Sequence, residues 1–189
     1  PRIAIHGFLD GRDTAPKSGA DVVAKLAASI ARAGGGRTVI GSLTGRYFAM
    51  DRDHRWPRPQ LAYDAMVRSI GLAVPGDPVA AIRAAYDRGE TDEFVKPLVM
   101  TGPDGAVAPI RDGDAVFFFN YRSDRMRQIV AALTVPGFSG FDVAPRPDVM
   151  AASMTQYDQT FLLPQAFAPF SMAQILAEVL SAQGRLQFR

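Results

Sequence analysis

At 189 residues, 48% of them apolar, the chain has material for a real core and for one domain or one domain plus a fragment. Its formal charge of only +2 gives no support to a diffuse nucleic-acid role, and the absence of cysteine removes disulfides, thiolate nucleophiles and sulfur-ligated metals while fitting a reducing cytoplasm. No apolar run reaches the roughly 18 residues of a membrane span, so a soluble, cytoplasmic protein is expected, and a first residue of Pro1 followed at once by a strand-like run reads as a cut from something longer.

In chain order, Ile3 to Leu9 reads as a buried strand that breaks into Gly11-Arg12-Asp13. Ser18 to Ala33 places Val22, Val23, Leu26, Ala27 and Ile30 at helical spacing and stops at Gly34-Gly35-Gly36. Arg37 to Leu43 is a second strand, so a right-handed βαβ unit and a parallel sheet are expected. A helix follows from about Pro57 to Ile70, then a loop framed by Pro75 and Pro78, then a helix over Val79 to Arg88 capped by Asp77 and stopped by Gly89. Between Thr91 and Arg111 the signals weaken, with Lys96 to Met100 as a short strand and Gly102-Pro103-Asp104-Gly105 as a turn, together a hairpin or an insertion. Ala115 to Phe119 is apolar without alternation, as expected of a central strand covered on both faces, and Ser123 and Asp124 are placed to cap the helix that carries Met126, Ile129, Val130 and Leu133. A loop over Gly137 to Pro147, a strand over Asp148 to Ser153, a helix over Ser171 to Ala182 and the start of a strand at Leu186 to Arg189 complete the reading. The fold class is therefore α/β, with a mainly parallel sheet flanked by helices on both faces.

Three of these strands run into turns that pair arginine with an acid: Arg12-Asp13, Arg46 with Asp51-Arg52, and Arg122-Ser123-Asp124-Arg125. In an open parallel sheet the three strand ends share one rim, and ligands bind in the crevice outside it. Five guanidinium groups there repel one another unless an anion shares the space, which points to a phosphorylated or carboxylated small molecule held by paired, charge-assisted hydrogen bonds. Arg122 and Arg125, three apart at a helix start, fall on one face of the first turn, where two cations are unfavourable without an anion. His6 reads as a structural, hydrogen-bonded histidine and His54 as exposed; neither has a partner at metal-ligand spacing. The glycine run at 34–36 follows a helix and is a helix stop, not a phosphate loop. Trp56, Tyr47 and Phe48 beside arginines form a weak case for single-stranded nucleic acid at this net charge.

The segments His6-Gly7-Phe8-Leu9-Asp10-Gly11-Arg12-Asp13-Thr14, Gly45-Arg46-Tyr47-Phe48-Ala49-Met50-Asp51-Arg52-Asp53, Asp92-Glu93-Phe94-Val95-Lys96-Pro97 and Asn120-Tyr121-Arg122-Ser123-Asp124-Arg125 resemble the cofactor-independent (2,3-bisphosphoglycerate-independent) phosphoglycerate mutases, and the likeness continues through Met154-Thr155-Gln156-Tyr157-Asp158. The resemblance implies a two-domain parent. One domain is of the alkaline phosphatase type, with a serine nucleophile and two manganese ions, and the other is an inserted phosphotransferase domain that grips the substrate. It assigns residues 1–170 to the phosphotransferase domain and 171–189 to the start of the returning phosphatase segment.

The same resemblance implies that Arg12, Asp13, Arg46, Arg52, Arg122 and Arg125 bind 2- or 3-phosphoglycerate and that Asp13 accepts a proton from the attacking hydroxyl. It further implies a phosphoserine intermediate, a place in glycolysis, a monomeric parent and no requirement for 2,3-bisphosphoglycerate. The nucleophile, the metal ligands, a substrate-binding histidine and a lysine are expected outside this chain. The chain by itself is thus expected to bind no metal and to be inactive, its partners being the small-molecule substrate and the missing phosphatase domain rather than nucleic acid or membrane. A stand-alone anion-binding module without catalysis is the alternative. Ser123 in place of a more usual proline, His54 where asparagine is common, and Pro59 at a normally charged helix start depart from the family pattern.

Overall fold

The computed structural model describes residues 2–33, 36–102, 104–169 and 173–188. Strands β1 (Ile3–Leu9) and β2 (Thr38–Gly45) lie parallel and are joined by helix α1 (Gly19–Arg32), the crossover that parallel pairing requires. The glycine stop expected after α1 falls, at Gly34 and Gly35, outside the described residues. Past β2 the chain turns into a one-turn helix, α2 (Arg46–Ala49), where the sequence suggested only a turn. Helix α3 (Pro57–Tyr63) starts with prolines in its first turn, where a missing N–H costs nothing, and widens into a π-helical turn over Asp64–Arg68.

Next come β3 (Leu72–Pro75), α4 (Pro78–Asp87), a 3-10 turn (Asp92–Phe94) and β4 (Leu98–Thr101). The Asp77 carboxylate accepts from Val79 N at 2.9 Å and caps α4 as its position in the sequence predicts. The first sheet has the order β1-β2-β4-β3, with β4 antiparallel to β2 and parallel to β3. The expected hairpin or insertion therefore supplies an inner strand. β3, short and ending in Pro75, reads as loop in the sequence, and a proline is tolerated there because β3 lies at the sheet edge.

β5 (Ala115–Phe118) corrects the reading of a strand buried on both faces. It pairs in parallel with β6 (Met150–Ser153) in a separate two-stranded sheet, and its outward side chains stay open, Phe119 75% exposed and Met150 70%. Phe118 alone of its aromatic run turns fully inward. Among the described residues three of the four strand pairings are parallel, so the sheet system is mainly parallel, but it comes in two pieces. Helix α5 (Ser123–Thr134) begins with Arg122 at its cap position. The expected caps do other work: Ser123 Oγ donates to Gln156 O at 3.0 Å and Asp124 pairs with arginines. Helix α6 (Leu176–Ala182) starts later than expected and buries none of its residues, Ser171 and Met172 lying outside the described residues. The strand expected from Leu186 is not found at residues 186–188, where Leu186 and Phe188 are fully exposed.

Two apolar clusters lie on opposite faces of the first sheet. One joins Leu9 and Leu43 to Val23 of α1 and Ile82 and Ala85 of α4. The other joins Phe8 to Tyr63 and Met66 after α3, Met126, Ile129 and Leu133 of α5, and Tyr157. Adjacent β1 residues Phe8 and Leu9 point into different clusters, as strand alternation dictates, so helices cover both faces. Each fully buried aliphatic side chain contributes about 1.5–3 kcal/mol to this arrangement. Among the described residues no helix is long and apolar enough to cross a membrane.

Candidate functional site

The three arginine-bearing turns converge although β5 belongs to a different sheet from β1 and β2. The turn after β1 is shaped by Asp10, whose Oδ1 accepts from the backbone N–H of Arg12 and Asp13 at 3.0 Å each. The same oxygen accepts from Arg46 Nη1 at 2.7 Å, and Arg46 Nη1 also donates to Asp13 Oδ2 at 2.7 Å. Arg122 Nη1 reaches Asp13 Oδ2 at 3.4 Å, Arg122 Nε donates to Asp124 Oδ1 at 2.9 Å, and Arg52 Nη1 donates to Asp124 Oδ2 at 2.8 Å. An unbroken alternation, Asp10–Arg46–Asp13–Arg122–Asp124–Arg52, thus ties the ends of β1, β2 and β5 together. Here the sequence argument needs correcting: three arginines can gather without a ligand because the chain interleaves its own carboxylates.

The ionisation of these groups follows from the alternation. The Arg46 hydrogen bond, then its charge, holds Asp13 below its ordinary range. Burial pushes Asp10 up, but backbone donors and Arg46 outweigh it and the net direction is down. Asp124 falls furthest, to about 2, chiefly through its bond from Arg122. Burial opposes the charge on Arg46, yet Asp13 and Asp10 more than offset it and keep the guanidinium above its usual range.

Arg125 is the exception. Burial, then repulsion from Arg52, Arg46 and Arg122, pushes its guanidinium below the ordinary arginine value. Its Nη1 donates to Met50 O at 3.0 Å, its Nε is buried without a partner, and it makes no ion pair among the described residues. Although three residues apart, Arg122 turns to Asp13 and Asp124 while Arg125 turns to Met50, so the shared face expected of them does not describe their partners.

Arg125 lines a cavity of about 470 Å³ with Arg12, Arg46 and Arg52, together with Tyr47, Asp51, Asp53, Arg55, Arg58, Glu93 and Phe94. Arg122 does not line it. Arg12 is mostly exposed and 3.7 Å from Glu93. Sequence reasoning gave no role to Asp51, a buried carboxylate that accepts from the backbone N–H of Asp53 and Arg55 at 2.9 and 3.0 Å and so fixes the loop that bears Arg52. Burial pushes Asp51 up, but those two backbone donors together with the side chains of Gln128 and Arg55 outweigh it and the net direction is down. Arg58 was likewise missed; its guanidinium lies 3.8 Å from the centre of the Tyr47 ring, and the nearby prolines at the start of α3 were the available signal that this turn is held in place. His6 takes no part in the cavity. Its Nδ1 lies 2.8 Å from Ser42 Oγ, and burial pushes its pKa down to about 4, so it is a neutral structural side chain at physiological pH. Among the described residues no group of three or more His, Asp or Glu could hold a metal ion.

Fold and site together define an α/β domain whose strand-end turns build an arginine-lined cavity. A family model described as the BPG-independent PGAM N-terminus matches residues 1–159. A 2,3-bisphosphoglycerate-independent phosphoglycerate mutase 2 from Methanosarcina acetivorans is 46% identical across 100% of this chain, and the mutase of Myxococcus xanthus is 47% identical across 99% of it. The crystal structure of Leishmania mexicana phosphoglycerate mutase superposes with a TM-score of 0.85 at 28% identity, over 97% of this chain and 35% of that one. The chain belongs to the family of 2,3-bisphosphoglycerate-independent phosphoglycerate mutases and corresponds to their N-terminal domain. It spans 36% of the length of these two curated relatives.

Proposed function

We propose that this chain is the substrate-gripping part of a longer phosphoglycerate mutase that interconverts 3- and 2-phosphoglycerate in glycolysis through a phosphoserine intermediate. The observation that carries the reading is Arg125: a partly desolvated guanidinium, pressed by three other arginines and in no ion pair among the described residues, is costly until an anion arrives. Arg125, Arg12 and Arg52 would take the carboxylate and phosphate oxygens, with Arg46 and Arg122 anchored behind Asp13. Residues 1–170 form the substrate unit and 171–189 begin the return to the phosphatase half, which agrees with an α6 that buries nothing here. The family resemblance places the serine and two manganese ions in that other half. The carboxylates of the ion-pair chain, Asp10, Asp13 and Asp124, are matched to arginines and do not suit a metal, so this chain's part in the chemistry falls to its own side chains.

In the return step a glycerate hydroxyl oxygen bonds to the phosphorus, the bond from phosphorus to the serine oxygen breaks, and the hydroxyl proton passes to Asp13. Asp13 is a hydrogen-bond acceptor as it stands, because Arg46 keeps it charged. A substrate anion that draws Arg46 and Arg122 toward itself would loosen that hold and raise the basicity of Asp13 at the moment it is needed. Between the two transfers the arginines must retain glycerate while it carries no phosphoryl group.

Calorimetric titration of 3-phosphoglycerate into the full-length polypeptide, with a steady-state mutase assay, tests the reading. Asp13→Asn should leave the dissociation constant within about threefold and slow turnover about 100-fold, the scale of a lost general base. Unchanged turnover would remove the proton-transfer role, and a full-length protein that neither binds nor converts phosphoglycerate would end the whole reading.

A further inference from the structure

The Asp92-to-Pro97 segment carries part of the family resemblance, and while Glu93 and Phe94 line the cavity, Asp92 at its head does not. Asp92 is the most deeply buried carboxylate among the described residues, 1% exposed, and makes no ion pair there. Its Oδ2 accepts from Gly19 N at 2.7 Å, at the start of α1, and its Oδ1 accepts from the Tyr86 hydroxyl of α4. Tyr86 Oη in turn accepts from Ala20 N at 3.2 Å, and Asp92 N donates to Pro16 O at 2.8 Å. Burial, reinforced by Asp92, pushes the Tyr86 phenol up to about 12, so it remains a donor.

What this carboxylate holds is a wedge between the two arginine turns. Gly11, at φ +67°, passes so close that a Cβ there would lie 2.7 Å from Asp92 Cβ. A Cβ on Gly45 would lie 2.4 Å from Glu93 O, and Gly45 N donates to Val95 O at 2.8 Å. Gly11 precedes Arg12 and Gly45 precedes Arg46, so the 3-10 turn sets the gap between the two guanidinium-bearing backbones. The next two residues face the cavity itself: Glu93 lies 3.7 Å from Arg12, and the Phe94 ring lies 5.0 Å from that of Tyr47. Asp92 does not line the cavity.

We propose that Asp92 is a positioning residue for the phosphoglycerate site: by pinning the 3-10 turn to α1 and α4 it fixes the separation of the Arg12–Asp13 turn from Arg46. The inference rests on the function proposed above. A carboxylate that only glued α1 to α4 would affect stability and nothing else. One that sets arginine spacing must affect substrate affinity in protein that is still folded, and must do so through Arg46.

The test uses the full-length polypeptide, assayed well below its unfolding temperature, with Asp92→Ala, Asp92→Asn and Tyr86→Phe each alone and combined with Arg46→Lys or Arg125→Lys. Asp92→Ala should raise KM for 3-phosphoglycerate about tenfold, the scale of an unsatisfied buried partner, with a smaller change in kcat. Asp92→Asn and Tyr86→Phe, which each remove one bond, should raise it about threefold. The effect should be non-additive with Arg46→Lys and additive with Arg125→Lys. Should Asp92→Ala fail to fold, the asparagine and phenylalanine variants decide: wild-type KM in both, or additivity with Arg46→Lys, overturns the proposal. An unmutated full-length protein with no mutase activity would instead overturn the function on which it rests.

Discussion

Two arginines of the cavity contrast: Arg46 sits between Asp10 and Asp13 at 2.7 Å from each, whereas Arg125 is partly buried and, among the described residues, leans on a single backbone carbonyl and has a buried Nε with no partner. Both are partly or fully buried arginines of the same cavity, and they differ in who supplies the negative charge. Arg46 is neutralised by the chain and is therefore an element of structure, present and oriented before any ligand arrives. Arg125, on the function proposed above, is left for a visitor. Buried ion pairs hold geometry at little net gain in stability, whereas an uncompensated buried cation is a standing cost that only binding removes.

The largest test of this contrast is Arg125→Met, which keeps the apolar stem and deletes the charge. In the full-length polypeptide it should lower kcat/KM about 100- to 1,000-fold, and in the unliganded protein it should raise unfolding stability by about 1 kcal/mol, measured by denaturant titration. A destabilised Arg125→Met protein would show that the contrast is false. Gly45→Ala attacks the other side. Its Cβ would meet the backbone oxygen of Glu93 at 2.4 Å, so the end of β2 and Arg46 with it must shift, and a loss of about 1–3 kcal/mol is expected in the same titration. The two variants should move stability in opposite directions. The smallest effect is in pH. Asp124 is depressed from its ordinary 3.8 to about 2, so its contribution is complete above 3.8 and is lost as pH falls through 2. Asp124→Asn should flatten acid unfolding within that window and leave the slope between pH 5 and 8 unaltered; an altered slope there would mean that other groups titrate through the network.

Legibility in the sequence followed how local the cause was. The β1–α1–β2 unit, the Asp77 cap and the apolar stripe of α5 depend on nearby residues, and the structure keeps each of them. β4 was found as a strand but not as the antiparallel neighbour of β2, because pairing partners lie far apart in the chain. The Phe117-Phe118-Phe119 run was read as central because it lacks alternation, yet alternation is what the structure shows there, with Phe118 inside and its neighbours out. Apolarity alone does not say which face is covered. In the site, all five arginines were expected in one crevice from strand ends assumed to lie in one sheet; Arg12, Arg46, Arg52 and Arg125 do share the cavity, while Arg122 stays outside it and joins only through Asp13 and Asp124, which bridge the two sheets. The bridging carboxylates, the Asp51 anchor and the Asp92 wedge were in view as letters of motifs, but their effect depends on contacts such as Gly19 to Asp92, 73 positions apart.

The unmatched charge of Arg125 also has a practical consequence at the bench. If Arg125 receives an anion as proposed, sulfate, citrate and inorganic phosphate present the same kind of oxygens, so ordinary buffers and precipitants become competitors in any titration. Amine buffers with chloride counterions leave that part of the cavity open to the proposed phosphoglycerate.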